Sequence, residues 1–259
     1  MKIDYNGMTI FVKENYAAMS KKAANIVAGQ VNLKPDSVLG LATGSTPEGM
    51  YRELVELYKE DRIDFSEVTT FNLDEYYGLP IENNQSYAYY MNKNFFSQVN
   101  ISSDNIHIPN SISNNLAVVC EAYDRLIEIN NNIDLQILGI GNNGHIGFNE
   151  PDVKFEASTH LVELDEDTIE ANARFFESVD DVPRQAISMG IRNIMHTKKI
   201  ILMANGANKA SILKEMLFGP VTPNVPASVI QLHNDVTIIL EKEAAKYVLE
   251  ELKVRGVVQ

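Results

Sequence analysis

Residues 136–151 read QILGIGNNGHIGFNEP. The apolar run Ile137-Leu138-Gly139-Ile140 has the length and composition of a buried strand. Gly141, Gly144 and Gly147 follow, and a tight backbone path beside a ligand needs such residues. Asn143, His145, Asn149 and Glu150 lie within that path. Strand, glycine-rich turn and polar cluster in succession describe the carboxyl edge of a parallel sheet that holds a site. A surface turn carrying chance polar residues is the plainer alternative.

Outward from this stretch, strand-like and helix-like segments alternate, which predicts an α/β layer fold with a parallel sheet. Residues 13–31 have helical spacing, with Ala17, Ala24, Ile26 and Val27 near one face. Strands are expected at 37–42, 68–73, 134–140, 199–204 and 236–241. Helices are expected at 47–59, 86–98, 116–130, 208–218 and 243–253. Residues 150–184 are polar and poorly periodic, apart from a helix around 165–173; they are a candidate lid. A short strand at 186–189 and a short helix at 191–196 follow. Without a linker, repeat or low-complexity tract, residues 1–259 are expected to form a single domain.

The 259 residues suffice to bury a large core. Lys and Arg number 22 against 35 Asp and Glu, a net charge of −13. Such a surface repels nucleic acid and anionic membranes, yet allows a small anionic substrate in a pocket with its own cations. The only cysteine, Cys120, excludes an intrachain disulfide and suits a reducing compartment, with burial on a helix as its expected setting. No segment approaches the roughly 20 apolar residues of a membrane span. A cytoplasmic location is expected. The subunit count, including a homo-oligomer, stays open.

Two further loops carry polar chemistry. Thr43, Gly44, Ser45 and Thr46 join a strand to a helix, and Pro47 suits the first helical turn. They would present N–H groups and hydroxyls where the helix dipole favours an anion. A plain N-cap by Ser45 or Thr46 explains the loop equally well. It is neither a Walker loop nor G-x-G-x-x-G, so ATP and NAD are not supported. In Asp74-Glu75-Tyr76-Tyr77 two carboxylates end a strand, and successive strand residues face opposite ways. One facing an apolar pocket could serve as a general base, and solvated caps are the alternative.

His145, flanked by Gly144 and Ile146 and near three glycines, could titrate near neutrality, with Glu150 holding its tautomer. The other histidines fit other settings: His107 in a strand-like run, His196 at a helix end, His160 and His233 structural or solvated. No H-E-x-x-H, H-x-H or cysteine set points to a metal. Arg174, before two aromatics, and Lys209, in a loop or first helical turn, are the cations suited to a phosphate; surface ion pairs are the alternative.

In combination LGLATGSTPEGMY, FNLDEYYGL, LGIGNNGHIGFNEP, ANARFF and Lys209 resemble the glucosamine-6-phosphate deaminase (isomerase) family in order, over nearly the full chain. The resemblance implies a doubly wound, Rossmann-like, mostly parallel sheet with helices on both faces. It implies deamination and isomerisation of glucosamine 6-phosphate to fructose 6-phosphate and ammonia, in amino-sugar catabolism, without cofactor or metal. It places the enolisation base on Asp74, the ring-opening histidine on His145, its carboxylate partner on Glu150, and a further ring-opening position on Asn143. Some relatives carry Asp at that last position; the amide here can orient or hydrogen-bond but cannot act as an anionic relay. Phosphate falls to Thr43, Gly44, Ser45, Thr46, Arg174 and Lys209. Relatives with allosteric activation place basic residues after the Glu-Pro pair, and residues 152–162 here are poor in cations, so no such activation is expected.

The nearest alternative is 6-phosphogluconolactonase, with the same fold and a similar histidine loop. Asn149-Glu150-Pro151 and the loop at Asp74 favour the deaminase. A non-catalytic sugar-phosphate sensor is the alternative of another class. About 36 residues precede the first expected strand, too few for an added DNA-binding domain plus a leading helix, and the chain is acidic.

Overall fold

The computed structural model describes residues 1–173 and 176–258. The chain opens with β1 (Lys2–Tyr5), β2 (Met8–Lys13), α1 (Tyr16–Leu33), β3 (Val38–Leu41), α2 (Ser45–Lys59), β4 (Thr69–Asn72) and β5 (Asp74–Tyr76). It continues with α3 (Tyr87–Asn94), β6 (Ile106–His107), α4 (Leu116–Ile129), β7 (Leu135–Leu138), β8 (His160–Glu163) and α5 (Glu166–Ala173). β9 (Gln185–Ser188), α6 (Ile191–Met195), β10 (Ile200–Ala204), α7 (Ala210–Phe218), β11 (Val236–Glu241) and α8 (Lys246–Val254) complete it.

Eight strands form one sheet in the order β1-β2-β11-β10-β7-β3-β4-β6, and every pairing except β1 with β2 is parallel. β3, β7 and β10 are buried along their whole length, as strands covered by helices on both faces must be, and their sequences VLGL, LQIL and IILMA are correspondingly apolar. The chain passes from β3 to β4 on one side and returns through β7 on the other. The crevice between the carboxyl ends of β3 and β7 is the switch point of a doubly wound sheet, the place where such folds bind ligands.

Two features depart from the sequence reading. The expected helix at 13–31 begins at Tyr16, capped by Asn15, whose side chain accepts the Ala18 N–H at 2.9 Å. Ahead of it lies a hairpin, and β2 joins the main sheet beside β11. β2 alternates buried and half-buried residues over only six positions, too short a period-two signal to stand out beside a long helix. The residues before Val38 are therefore part of the sheet and its first helix, not a leader to it.

The second departure is a small antiparallel sheet, β5-β9-β8. The expected strand at 68–73 ends at Asn72, and the chain turns into this second sheet at Asp74. The short strand expected at 186–189 is its central member, β9. Tyr76, Phe148, Leu164, Ile169, Val182 and Ala186 form a second apolar cluster beneath it. The polar region 150–184 contributes β8 and α5 to this layer. Cys120 is buried on α4, as expected. Among the described residues, no helix is long and apolar enough to cross a membrane.

Candidate active site

A cavity of about 490 Å³ opens at the switch point. Its walls are the ends of four strands. Thr43, Gly44, Ser45 and Thr46 follow β3, Leu73 and Asp74 follow β4, residues 139–143 and His145 follow β7, and Asn205, Gly206, Asn208 and Lys209 follow β10.

The β3 loop is built to turn its N–H groups inward. Gly44 is the N-cap of α2, with φ of +96°, a conformation L side chains rarely adopt, and it has no side chain with which to cap. Ser45 and Thr46 are the first helical residues, so neither is the plain N-cap that the sequence allowed. Three tyrosines from three helices hold the loop carbonyls outside the cavity. Tyr51 donates to the Ala42 carbonyl at 2.6 Å, Tyr90 to that of Gly44 at 2.7 Å, and Tyr16 to that of Ser45 at 2.8 Å. Each such bond contributes about 1 kcal/mol net. The first turn of α2 is left pointing at the cavity, with the positive end of its dipole. Thr46 donates to Asn205 at 2.8 Å, which ties the β10 loop to the start of α2, and the Gly206 N–H donates to Glu241 at the end of β11 at 2.8 Å.

Asp74 and Glu75 point in opposite directions, as strand geometry requires. Glu75 is fully buried and accepts the N–H groups of Tyr76, Tyr87 and Ala88 at 2.8, 2.9 and 2.8 Å, anchoring the start of α3. Burial pushes its carboxyl up, while these three donors pull it down. Asp74 faces the cavity with 6% of its surface exposed. Burial, and then the charge of Glu75, push its carboxyl up to about 8.

The loop after β7 delivers the histidine. His145 Nδ1 is 3.1 Å from Glu150 Oε2, and the His145 N–H donates to Asn143 Oδ1 at 3.2 Å. Gly141 lies directly under the imidazole, where a Cβ would collide with the ring. Glu150 does not line the cavity; it supports the imidazole from behind, its side chain 6% exposed. Burial raises the Glu150 carboxyl, but hydrogen bonds from His145, Thr168 and Asn143 outweigh this and hold it below the usual range. Thr168 donates to Glu150 Oε1 at 2.6 Å.

The small sheet brings Asp74 and the histidine loop together. Asp74 pairs with Ser188 across β5 and β9, and Ser188 Oγ accepts the Phe148 N–H of the histidine loop at 3.0 Å. A Cβ on Gly147 would stand 3.4 Å from Asp74 Oδ2, so the two segments touch.

Of the residues expected from sequence, Thr43, Gly44, Ser45, Thr46, Asp74, Asn143, His145 and Lys209 line this cavity, with Glu150 one contact behind. Arg174 lies outside the described residues. The sequence reading missed Tyr87, Thr168, Asn172, Asn205 and Asn208, all on the wall. Thr168 belongs to the first turn of α5, where a hydroxyl usually signals only a helix start. Among the described residues, no group of three or more His, Cys, Asp and Glu is arranged to hold a metal ion.

Comparison with known proteins gives a consistent result. The family model for glucosamine-6-phosphate isomerases/6-phosphogluconolactonase matches residues 13–239. A glucosamine-6-phosphate deaminase of Halothermothrix orenii is 60% identical over 238 residues, 92% of this chain and 99% of that one. One from Clostridium botulinum (Loch Maree, type A3) is 58% identical, covering 92% and 98%. A solved structure of a monomeric glucosamine-6-phosphate deaminase superposes with a TM-score of 0.90 at 43% identity, covering 92% of this chain and 99% of that one. The 6-phosphogluconolactonase of Thermotoga maritima, at 20% identity and a TM-score of 0.69, covering 91% and 100%, shares the fold. With the family model spanning residues 13–239 and relatives near 60% identity covered over almost their whole length, the chain belongs to the glucosamine-6-phosphate isomerase/6-phosphogluconolactonase family.

Proposed function

We propose that residues 1–259 act as one catalytic domain that converts glucosamine 6-phosphate and water to fructose 6-phosphate and ammonia. The phosphate is held by Thr43, Gly44, Ser45 and Thr46 at the start of α2, with Lys209 and Arg174 supplying positive charge in a protein of net −13. His145, oriented by Glu150 and Asn143, takes the proton of the anomeric hydroxyl and returns it to the ring oxygen, breaking the C1–O5 bond. Asp74 then removes the proton from C2, giving an enolamine, and delivers a proton to C1. The resulting imine at C2 takes up water and releases ammonia.

The observation that carries this reading is the shared cavity: a buried carboxyl and an imidazole face the same space as an inward-turned helix N-terminus. A carboxyl at about 8 suits a base that must ionise on demand. The 2-ammonium group of the substrate, arriving beside it, favours the ionised form. The charge balance and the buried, unpaired Cys120 support a cytoplasmic enzyme.

The test is incubation of the purified protein with glucosamine 6-phosphate, without added nucleotide, and in parallel with 6-phosphogluconolactone. Ammonia with fructose 6-phosphate from the first, and no acid above background from the second, is expected. Acid from the lactone without ammonia from the amino sugar would overturn the assignment.

A further inference from the structure

Thr168 is the third residue of α5, and its backbone N–H already bonds the Asp165 carbonyl at 2.9 Å, as does that of Ile169. Capping the helix therefore does not account for its hydroxyl. The side chain, 4% exposed, crosses instead to the histidine loop. Its Oγ1 donates to Glu150 Oε1 at 2.6 Å and stands 3.4 Å from His145 Nδ1. The next residue fixes this placement. Ile169 is buried in the second apolar cluster together with Phe148, three residues beyond His145, so one core holds both α5 and the histidine loop.

Each oxygen of Glu150 then has its own partners. Oε2 meets His145 Nδ1 at 3.1 Å and accepts an Asn143 N–H at 2.7 Å, while Oε1 takes the Thr168 hydroxyl. Asn143 is itself steadied by Asp165, whose Oδ2 accepts its other N–H at 3.0 Å. With its proton committed to Oε1, the Thr168 oxygen can only accept on its other side. Both groups beside Nδ1, Glu150 Oε2 and Thr168 Oγ1, are therefore acceptors. They place the ring proton on Nδ1 and leave Nε2 without one.

We propose that Thr168 is a positioning residue for His145: its hydroxyl fixes the rotation of the Glu150 carboxylate and, as the second acceptor beside Nδ1, holds the imidazole in the tautomer whose Nε2 takes the anomeric proton. Thr168 acts through Glu150. Without the hydroxyl, Oε1 loses this donor where burial already works against the carboxylate. The carboxylate is then free to turn, and the imidazole with it. Glu150 also lines a second cavity, of about 290 Å³, with Asp152, Lys154, Glu156, His160 and Glu163. These side chains, Asp165 and His145 are the charged and titratable groups on its side of the site, and a change at position 168 leaves them all in place.

This inference rests on the ring-opening role given to His145, so the wild type is assayed beside each variant. Thr168→Val keeps the branched shape and removes the donor; Thr168→Ser keeps the donor and loses a methyl group. In ammonia release from glucosamine 6-phosphate, Thr168→Val should lower kcat roughly tenfold with KM within about twofold, and Thr168→Ser should stay within about threefold of wild type. Added to Glu150→Gln, Thr168→Val should cost no more than about a further twofold, because the carboxylate through which the hydroxyl acts is gone. A role in packing α5 alone would lower the melting temperature and leave kcat near wild type, or give losses that multiply in the double variant. Thr168→Val with wild-type kcat, Thr168→Ser losing as much as Thr168→Val, or a full tenfold loss on top of Glu150→Gln overturns the proposal and leaves the deaminase reading intact. If Thr168→Val does not fold, Thr168→Ala takes its place in each comparison. A wild type that releases no ammonia removes both.

Discussion

Asp74→Asn separates what this carboxyl does to the fold from what it does in the reaction. Asp74 is 6% exposed, and its carboxyl is pushed from an ordinary 3.8 to about 8 by burial and then by Glu75. In the unfolded chain the proton leaves near pH 4; in the folded protein it stays until about pH 8. The folded value is the higher one, so the stabilising contribution is complete in acid and is lost as pH rises from about 4 to about 8. Roughly three pH units separate the ordinary value from pH 7, and at 1.4 kcal/mol per unit the native state forgoes about 4 kcal/mol there. Asparagine has no proton to lose and keeps the shape.

The variant should therefore be more stable than wild type at pH 7 by up to about 4 kcal/mol, which is roughly 10 °C in melting temperature for a chain of this size. The gap should shrink by about 1.4 kcal/mol per unit toward pH 4.5, and turnover should fall by about a thousandfold or more. Urea unfolding at pH 5, 6 and 7 without substrate, with ammonia release measured on the same preparations, reads all three. A gap that does not change with pH, or a variant less stable at pH 7, would refute the reasoning.

Glu150→Gln removes the anion behind His145 and should lower kcat about 100-fold with little change in KM, read by steady-state ammonia release. Lys209→Ala removes a cation from the cavity wall and should raise KM for the sugar phosphate about 10- to 100-fold, with a parallel weakening of inhibition by inorganic phosphate. The segment after Pro151 lines the second cavity with Asp152, Glu156 and Glu163, and its Lys154 is paired with Glu156 at 2.7 Å. The rate curve should therefore be hyperbolic in glucosamine 6-phosphate with or without N-acetylglucosamine 6-phosphate; a sigmoidal curve made hyperbolic by that compound would contradict this.

Much of the site was legible because its signals are local. The apolar runs that become β3, β7 and β10 are continuous, and the glycines after β7 mark where the chain must pass under the imidazole. Pairwise facing along a strand was enough to give Asp74 and Glu75 different surroundings. What escaped depends on distant segments meeting. Asp165 and Thr168 lie 20 and 23 residues beyond His145 and reach its support only because α5 starts there. Tyr16, Tyr51 and Tyr90 fall inside the expected helices 13–31, 47–59 and 86–98, and nothing local marks their hydroxyls as the groups that hold the β3 loop carbonyls. The second sheet was invisible because its strands are three or four residues long and belong to segments far apart in sequence.

The most direct test of the central claim is a co-crystal structure with the open-chain amino-alditol 6-phosphate, which carries the substrate's amine and phosphate and cannot react. The account predicts the phosphate at the start of α2 within reach of Lys209, C2 within about 3.5 Å of the Asp74 carboxyl, and the oxygens on C1 and C5 facing His145. A phosphate bound elsewhere, or a C2 that meets His145 while Asp74 stays out of reach, would contradict it.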